Sequence, residues 1–334
     1  MATIRDVARH VGVSPATVSR VINGVPGFSA DTRERVEAAV AELGYEPDTL
    51  ARGLRTMQSA VIGVLATAVS DALASQVMSG IESAARSRGY TVMLGRAGLG
   101  AEHAPSYLRS FKTYRAAGVV VISSAITGDM RRIAGARLPL MAVAIRNGDV
   151  FPSLAIDDEQ AAYDGTRRLL ELGHREIGLL AGDESSMLVN APRERGYQHA
   201  MAEADAPTLV ERGNSLYDSA PPALGRLLER APRLSAVFAL SDEMGAAAIN
   251  ELQRRGRRVP EDVSVLGFDN TRTSQHVHPA LSTVAQPLER MGEQAVFGLL
   301  DGTWRSRIFE HRLIERGSTA SAPSPAPSRK RNLP

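Results

Sequence analysis

The stretch that decides the fold is "VGVSPATVSRVIN", Val11 to Asn23. A proline stands inside what otherwise has helical spacing, and Arg20 is the only charge. The proline is explained once the helix start is placed. Ser14 is a good N-cap, so Pro15 falls at the first helical position, where its missing N–H costs nothing and its fixed φ suits the helix. Val18, Val21 and Ile22 then form a buried side, leaving Ala16, Thr17, Ser19, Arg20 and Asn23 on the other. Upstream, Ile4, Val7, Ala8 and Val11 make one apolar face. Thr3 with Asp6 is an N-cap with an acid three residues on, and Gly12 closes that helix. Two short helices joined by a glycine-containing turn make a helix-turn-helix, although an ordinary helical hairpin has the same outline. The exposed face favours DNA. Small residues at the start of the second helix let its backbone approach a phosphate or a base edge, and Arg20 can lay its planar fork on the O6/N7 edge of guanine.

Ser29 caps a third helix, "SADTRERVEAAVAELG", with Val36, Ala39, Val40 and Leu43 turned inward and Gly44 at its end. Arg5, Arg9 and Arg20 outnumber Asp6 in the first 28 residues, but the third helix returns that excess, so placement must matter more than bulk charge. In "YEPDTLARGLRTMQS", Pro47 stops the preceding structure. Residues 48–56 are spaced for a short helix weakened by Gly53, which is a plain linker or a segment that folds against a partner.

From residue 60 the pattern changes to apolar runs alternating with amphipathic helices. "AVIGVLA" (60–66), "TVMLG", "GVVVIS" (118–123) and "LPLMAVAI" are strands, and "ASQVMSGIESAARSRGY" is a helix ending at Gly89. After residue 157 the rhythm repeats: helix 158–173, strand "EIGLLAG", helix 192–204, a strand near "TLVER", helix 219–231, strand "AVFALS", helix 242–255 and strand "VSVLGF". A final helix (288–301) and strand (308–315) belong with the first lobe. Alternating strands and helices predict parallel doubly wound sheets, and two such sheets facing each other hold a ligand between the carboxyl ends of their strands.

The chain has 334 residues, is 43% hydrophobic and 23% charged, and carries a formal charge of +2, which fits two or three globular domains. It has no cysteine, which excludes disulfides, thiol chemistry and cysteine-rich zinc sites. "MATIRDVARH" has charges where an export signal needs an apolar run, and no stretch approaches the length of a membrane helix, so a cytoplasmic protein is expected. There is no phosphate-cradling glycine loop of useful quality and no nucleophile elbow. His276 and His278 lack a third ligand, so neither catalysis nor a metal or other cofactor is expected. "GSTASAPSPAPSRKRNLP" (317–334) is rich in Ser, Ala and Pro and is expected to be disordered.

The string "TIRDVARHVGVSPATVSRVINGVPGFSADTRERVEAAVAELGYEP" followed by "LARGLRT" resembles the N-terminal module of the lac/gal repressor (LacI) family of bacterial transcription regulators. "LGHREIGLLAG", "RERGYQHAM", "SDEMGAAAINELQRRGRRVPEDVSVLGFDNT" and "HPALSTVAQPLERMGEQA" carry the resemblance through the rest of the chain. It implies an α/β protein: an N-terminal three-helix, lambda-repressor-like helix-turn-helix domain, then a two-lobed periplasmic-binding-protein-like core of doubly wound parallel sheets. The implied divisions are a headpiece at 1–46, a hinge helix and linker at 47–59, and a core at 60–316. Within the core the N-lobe takes 60–157 and 287–316, and the C-lobe takes 158–286.

The resemblance also implies partners and sites. Pro15, Ala16 and Arg20 match positions that face bases in double-stranded operator DNA, and Thr17, Ser19 and Asn23 match phosphate contacts. Thr3, Ser14, Ser29, Ala51 and Arg55 complete the DNA set. Leu54 matches a leucine wedged into the minor groove, where an apolar wedge kinks the duplex. Arg193, Asp242, Asp269 and Gln286 match effector-pocket positions. Ser70, Asp71 and Ser123 are further pocket candidates, although "VSDALAS" (69–75) lacks the aromatic residue the family often has there. At 4% aromatic content, with Trp304 in a turn away from the cleft, no stacking platform for a sugar ring is evident. The implied protein is a nucleoid-associated homodimer, since the tail lacks a tetramer-forming leucine heptad, and its effector is sugar-like. A transport-type solute-binding protein shares the core but would need an export signal and no helix-turn-helix.

Overall fold

The computed structural model describes residues 2–22, 25–45, 59–68, 71–98, 100–122, 128–146, 150–183 and 187–323. The chain divides into two units, residues 1–59 and 60–334.

In the first unit, α1 (Ile4–Val11), α2 (Pro15–Ile22) and α3 (Ala30–Glu42) enclose Val7, Ala8, Val11, Val18, Val21, Val36 and Ala39. Their starts follow the sequence. The Thr3 hydroxyl accepts from the Asp6 N–H at 3.4 Å, and the Asp6 carboxylate accepts from the Thr3 N–H at 2.9 Å, a complete capping box. The Thr17 N–H donates to Ser14 Oγ at 3.1 Å, so Pro15 opens α2 as its position requires. Gly12 closes α1 at φ 75°, in the left-handed region that glycine enters without strain. Val40 and Leu43, expected to face inward, are only half-buried. A contact that spacing does not announce is Arg35 Nη2, which donates to the Val11 carbonyl at 2.6 Å and ties α3 to the end of α1. The hinge segment, including Ala51, Leu54 and Arg55, lies outside the described residues.

The second unit begins with β1 (Val61–Ala66), α4 (Ala72–Ser87), β2 (Thr91–Arg96), α5 (Ala104–Thr113), β3 (Gly118–Ile122), α6 (Gly128–Ala134), β4 (Leu140–Val143) and β5 (Ser153–Ile156). It continues through α7 (Asp158–Glu171), β6 (Ile177–Ala181), α8 (Met187–Glu203), β7 (Leu209–Arg212), α9 (Ala220–Arg230), β8 (Ala236–Ala239) and α10 (Asp242–Arg254). It closes with β9 (Ser264–Asp269), α11 (Thr273–His276), β10 (Ser282–Ala285), α12 (Leu288–Asp301), β11 (Arg307–Phe309) and β12 (Arg312–Ile314). Two six-stranded sheets result, ordered β11-β5-β4-β3-β1-β2 and β12-β10-β9-β8-β6-β7. All described pairings are parallel except β10 with β12. The inner strands are buried along their length, as strands covered on both faces must be. The backbone crosses between sheets at Asp157, at Gln286–Pro287 and at Glu310–His311.

The helix α12 returns to the first sheet and packs on α4. A Cβ on Gly80 would run into the Glu289 carbonyl, and one on Gly292 into the Val77 carbonyl, so paired glycines permit backbone contact between the two helices. Among the described residues no helix is long and apolar enough to cross a membrane.

Three expectations are corrected. The helix expected at 192 starts at Met187, with Pro192 inside it, because a preceding turn supplies the helical N-terminus that a lone proline suggests. The single last strand divides: β11 joins the first sheet and β12 the second, with His311 Nε2 2.9 Å from Asp164 at the crossing. Residues 317–323 do not belong to a disordered tail. Ser318 is fully buried; its carbonyl accepts from the Val265 N–H at 2.8 Å, and its hydroxyl donates to the Val265 carbonyl at 2.6 Å. Composition suggested disorder because Ser and Ala bring little apolar area, but here the backbone extends along an existing strand and its polar groups are paired. Residues 324–334 lie outside the described residues.

Candidate effector cleft and recognition helix

A cavity of about 420 Å³ opens between the two sheets of the second unit. Its walls are the segments that follow carboxyl ends of parallel strands. Thr67 and Asp71 follow β1, Arg96 ends β2 and Ile145 follows β4. Asn190 and Arg193 lie on α8, Asn214–Asp218 follow β7, Leu240–Glu243 follow β8, and Asp269 and Thr271 lie at the end of β9. Open α/β sheets place ligands here, because side chains diverge at these ends and helix N-termini point inward.

Arg193 is the hub. Its side chain is 4% exposed, and its Nε donates to Asp158 Oδ1 at 2.8 Å. Its Nη1 donates to the Leu240 carbonyl at 2.9 Å, its Nη2 stands 3.6 Å from Asp269 Oδ1, and its guanidinium carbon lies 3.7 Å from the Phe268 ring centroid. Burial pushes the Asp158 carboxyl up, while Arg193 pulls it back. Asp158 opens α7 just after the first crossover, so the arginine joins the cavity wall to a segment linking the lobes.

Asp269 has φ 105° and Asn270 φ 58°, conformations rare for residues other than glycine. Such geometry costs of order 1–3 kcal/mol per residue and persists where neighbours over-determine it. Gln286 on the second crossover is one such neighbour: its Nε2 donates to Asp269 Oδ1 at 2.7 Å. Among the described residues no hydrogen bond reaches Asp269 Oδ2. Burial raises the Asp269 carboxyl to about 6, with Arg193 and Gln286 working against the rise. Burial and then the Asp269 charge raise Asp242 to about 7. Asp242 is not the cap of α10: Ser241 is, accepting from the Met244 N–H at 3.2 Å. Both Asp242 oxygens are engaged, Oδ2 by the Thr271 N–H and hydroxyl at 2.6 and 3.0 Å, Oδ1 by the Thr283 hydroxyl at 2.6 Å.

The structure therefore brings Asp71, Arg193, Asp242 and Asp269 to one cavity. Gln286 is not among the lining residues and reaches the cavity through Asp269. Ser70 and Ser123 lie outside the described residues. The sequence reading missed Asn190, Asn214 and Tyr217. An aromatic ring does line the cleft: Tyr217 is 38% exposed, and its hydroxyl accepts from Asn250 Nδ2 at 2.6 Å. The signal was present, because every loop after a parallel strand is a candidate wall and "GNSLYD" (213–218) follows β7.

In the first unit, Ser14, Pro15, Ala16 and Arg20 are exposed, while Thr17 and Ser19 are half-buried, along one side of α2. The Arg20 guanidinium makes no hydrogen bond or ion pair among the described residues, and its Nη1 rests beside Gly27, 3.6 Å from where a Cβ would stand. The Thr3 and Ser29 hydroxyls cap α1 and α3, with Ser29 Oγ accepting from the Thr32 N–H at 3.2 Å. Asn23 lies outside the described residues.

A helix-turn-helix unit followed by two doubly wound lobes around a cleft defines a DNA-binding regulator with an effector-binding core. Residues 3–48 match the model of bacterial regulatory proteins of the lacI family, and residues 166–319 match the periplasmic binding protein-like domain. The HTH-type transcriptional repressor PurR of Yersinia pestis bv. Antiqua is 34% identical over 336 residues, covering 97% of this chain and 98% of that protein. The lac repressor dimer bound to operator and the anti-inducer ONPF superposes with a TM-score of 0.84 at 28% identity, covering 96% of this chain and 99% of that one. A CelR–cellobiose complex superposes with a TM-score of 0.69 at 32% identity, covering 95% and 100%. The chain belongs to the lacI family of bacterial regulatory proteins, and it is a DNA-binding transcriptional regulator.

Proposed function

We propose that the protein is a homodimeric repressor that binds a pseudo-palindromic operator with an affinity set by a small sugar-like effector in the cleft. Arg20, with Pro15 and Ala16, reads base edges. Thr17, Ser19 and Asn23 hold phosphates, with Thr3, Ser14, Ser29, Ala51 and Arg55 around them, and Leu54 wedges the minor groove. Asp269 Oδ2 and Arg193 Nη2 bind adjacent hydroxyls of the effector, one accepting and one donating, with Asp71 across the cavity. Asp242 holds Thr271 and Thr283 in place. Ser70 and Ser123 complete the pocket edge, and the operator-bound protein resides in the cytoplasm at the nucleoid.

The observation that carries this reading is the wiring of the cleft. Arg193 is bonded to Asp158 and Asp269 to Gln286, and Asp158 and Gln286 adjoin two of the crossings between lobes. A ligand that draws on Arg193 and Asp269 thus favours one lobe arrangement over another, and DNA affinity shifts by its differential affinity for the two. The similar lac repressor is a dimer bound to operator and the similar CelR is a cellobiose complex, which supports both partners by kinship.

The test is selection of genomic fragments by the full chain, followed by anisotropy on the recovered operator. Arg20→Ala removes a guanine contact worth ~1–3 kcal/mol in each half-site. Operator affinity is expected to fall by at least about thirtyfold with the core's thermal stability unchanged. Unaltered affinity would remove Arg20 from base readout.

A further inference from the structure

The charge of the cleft narrows the ligand class, an inference that rests on the effector reading above. Its walls carry five carboxylates, Asp71, Asp218, Asp242, Glu243 and Asp269, against two guanidiniums, Arg96 and Arg193. Arg193 cannot serve as an anion clamp. Its charge is matched by Asp158 at 2.8 Å and Asp269 at 3.6 Å, and its Nε and Nη1 are already donating. A phosphate would have to compete with Asp269 for Nη2. Arg96 is exposed, where solvent and salt screen its field.

The helix ends point the same way. Helix N-termini are ready anion sites, because their free N–H groups and dipole favour negative charge. Three of them meet this cavity, and two already hold carboxylates of the protein, whereas the first turn of α8, which lines the cavity at Leu188 to Asn190, carries none. Asp71 caps α4, accepting from the Leu73 N–H at 3.0 Å. The first turn of α10 carries Asp242 and Glu243 behind the Ser241 cap. At the ends of α4 and α10 an incoming anion would find its position filled by like charge.

We infer that the effector of this cleft is an uncharged polyol, and that phosphorylated or otherwise anionic relatives of it are excluded. Hydroxyls suit the cavity because each both donates and accepts: it gives a proton to Asp269 Oδ2 or Asp71 and takes one from Arg193 Nη2 or an asparagine amide. An anion adds negative charge to walls where carboxylates outnumber guanidiniums five to two, and such like-charge juxtaposition is strongly unfavourable in a desolvated site.

The full chain is screened by thermal shift and then calorimetry at pH 7.5. The probes are neutral polyols, each beside its ester: glucose with glucose 6-phosphate, mannitol with mannitol 1-phosphate, trehalose with trehalose 6-phosphate. Cellobiose, adenine and guanine are added. The expected result is binding of at least one neutral polyol, with an ester of that polyol more than about tenfold weaker. Asp71→Asn is expected to shrink that ratio severalfold, which a purely structural role for Asp71 would not do. An ester binding as tightly as its parent, or an unchanged ratio in Asp71→Asn, overturns the charge inference and leaves the effector reading standing. Binding of adenine or guanine with no response to any polyol overturns both.

Discussion

Replacing Arg193 with glutamine separates its structural work from its ligand work. The substitution removes the 2.8 Å bond to Asp158, the 2.9 Å bond to the Leu240 carbonyl and the stacking on Phe268. Asp158 is 3% exposed, so it is left as a buried carboxylate without its cation. Breaking a buried pair from one side costs about 3–5 kcal/mol, most of it from the orphaned charge. A unit this size loses roughly 2–4 °C in Tm per kcal/mol, which places the fall at roughly 6–20 °C. The cost is bounded, because Asp158 can take a proton instead. Its carboxyl is already pushed up by burial and rises further without Arg193, while the unfolded value stays ordinary. The folded variant therefore binds a proton that the unfolded chain does not, and the deficit against wild type shrinks as pH falls from 8 to 5.5. The double variant Arg193→Gln, Asp158→Asn should recover most of the loss at pH 8, since both partners are then neutral. Circular dichroism melts of wild type, Arg193→Gln, Asp158→Asn and the double variant at both pH values read all of this. A loss under about 1 kcal/mol at pH 8, or a double variant no more stable than the single one, would refute the claim that Arg193 holds Asp158 by charge.

Other consequences are as direct. Gly292→Ala should lower stability by about 2–3 kcal/mol, because its methyl meets the Val77 carbonyl, whereas Gly128→Ala, with open space around it, should be close to neutral in a parallel melt. Asp242 sits at about 7, above its ordinary 3.8, so the unfolded chain holds fewer protons between those values and stability falls as pH rises through that window. Asp242→Asn should flatten that fall between pH 5 and 8, and an unchanged slope would show that the carboxyl titrates normally. His174 has the opposite sign. Burial lowers it, and its Nε2 and Nδ1 lie 3.0 Å from the Ala320 carbonyl and the Ser235 hydroxyl, so the neutral ring is satisfied. Acidification below about 6.5 then favours the unfolded chain, which accepts that proton freely. Hydrogen exchange at Ser318 to Ala322 should accelerate between pH 7 and 5.5, after correction for intrinsic rates, and less so in His174→Gln.

The sequence made the locally determined features legible. Ser14 and Pro15 announce a helix start because capping and proline stereochemistry act over two residues. The βα rhythm announces parallel sheets because its apolar runs are continuous. Arg193 and Asp269 were found, but their arrangement was not. The partner of Arg193 lies 35 residues earlier on another helix, and no spacing rule joins them. Strand β5 is four residues long, too short for periodicity to show. The last apolar run divides between two sheets because a crossover interrupts it, which composition cannot register. Residues 317–323 are held by hydrogen bonds of their backbone and of the Ser318 and Thr319 hydroxyls to β9 and its neighbours, a source of order that needs little apolar area. Tyr217 stayed hidden because low aromatic content argued against a ring in the cleft, whereas one ring in the loop after β7 is enough.

In the proposed repressor a base-reading helix is coupled to an effector held by Asp269. The most direct measurement is anisotropy of labelled operator, titrated with wild type and Asp269→Asn, with and without a polyol identified by the calorimetric screen. The two proteins should show equal operator affinity without ligand, and the ligand response of the variant should shift to concentrations at least about tenfold higher, the loss of one charge-assisted hydrogen bond. A variant that responds at the wild-type concentration would contradict this.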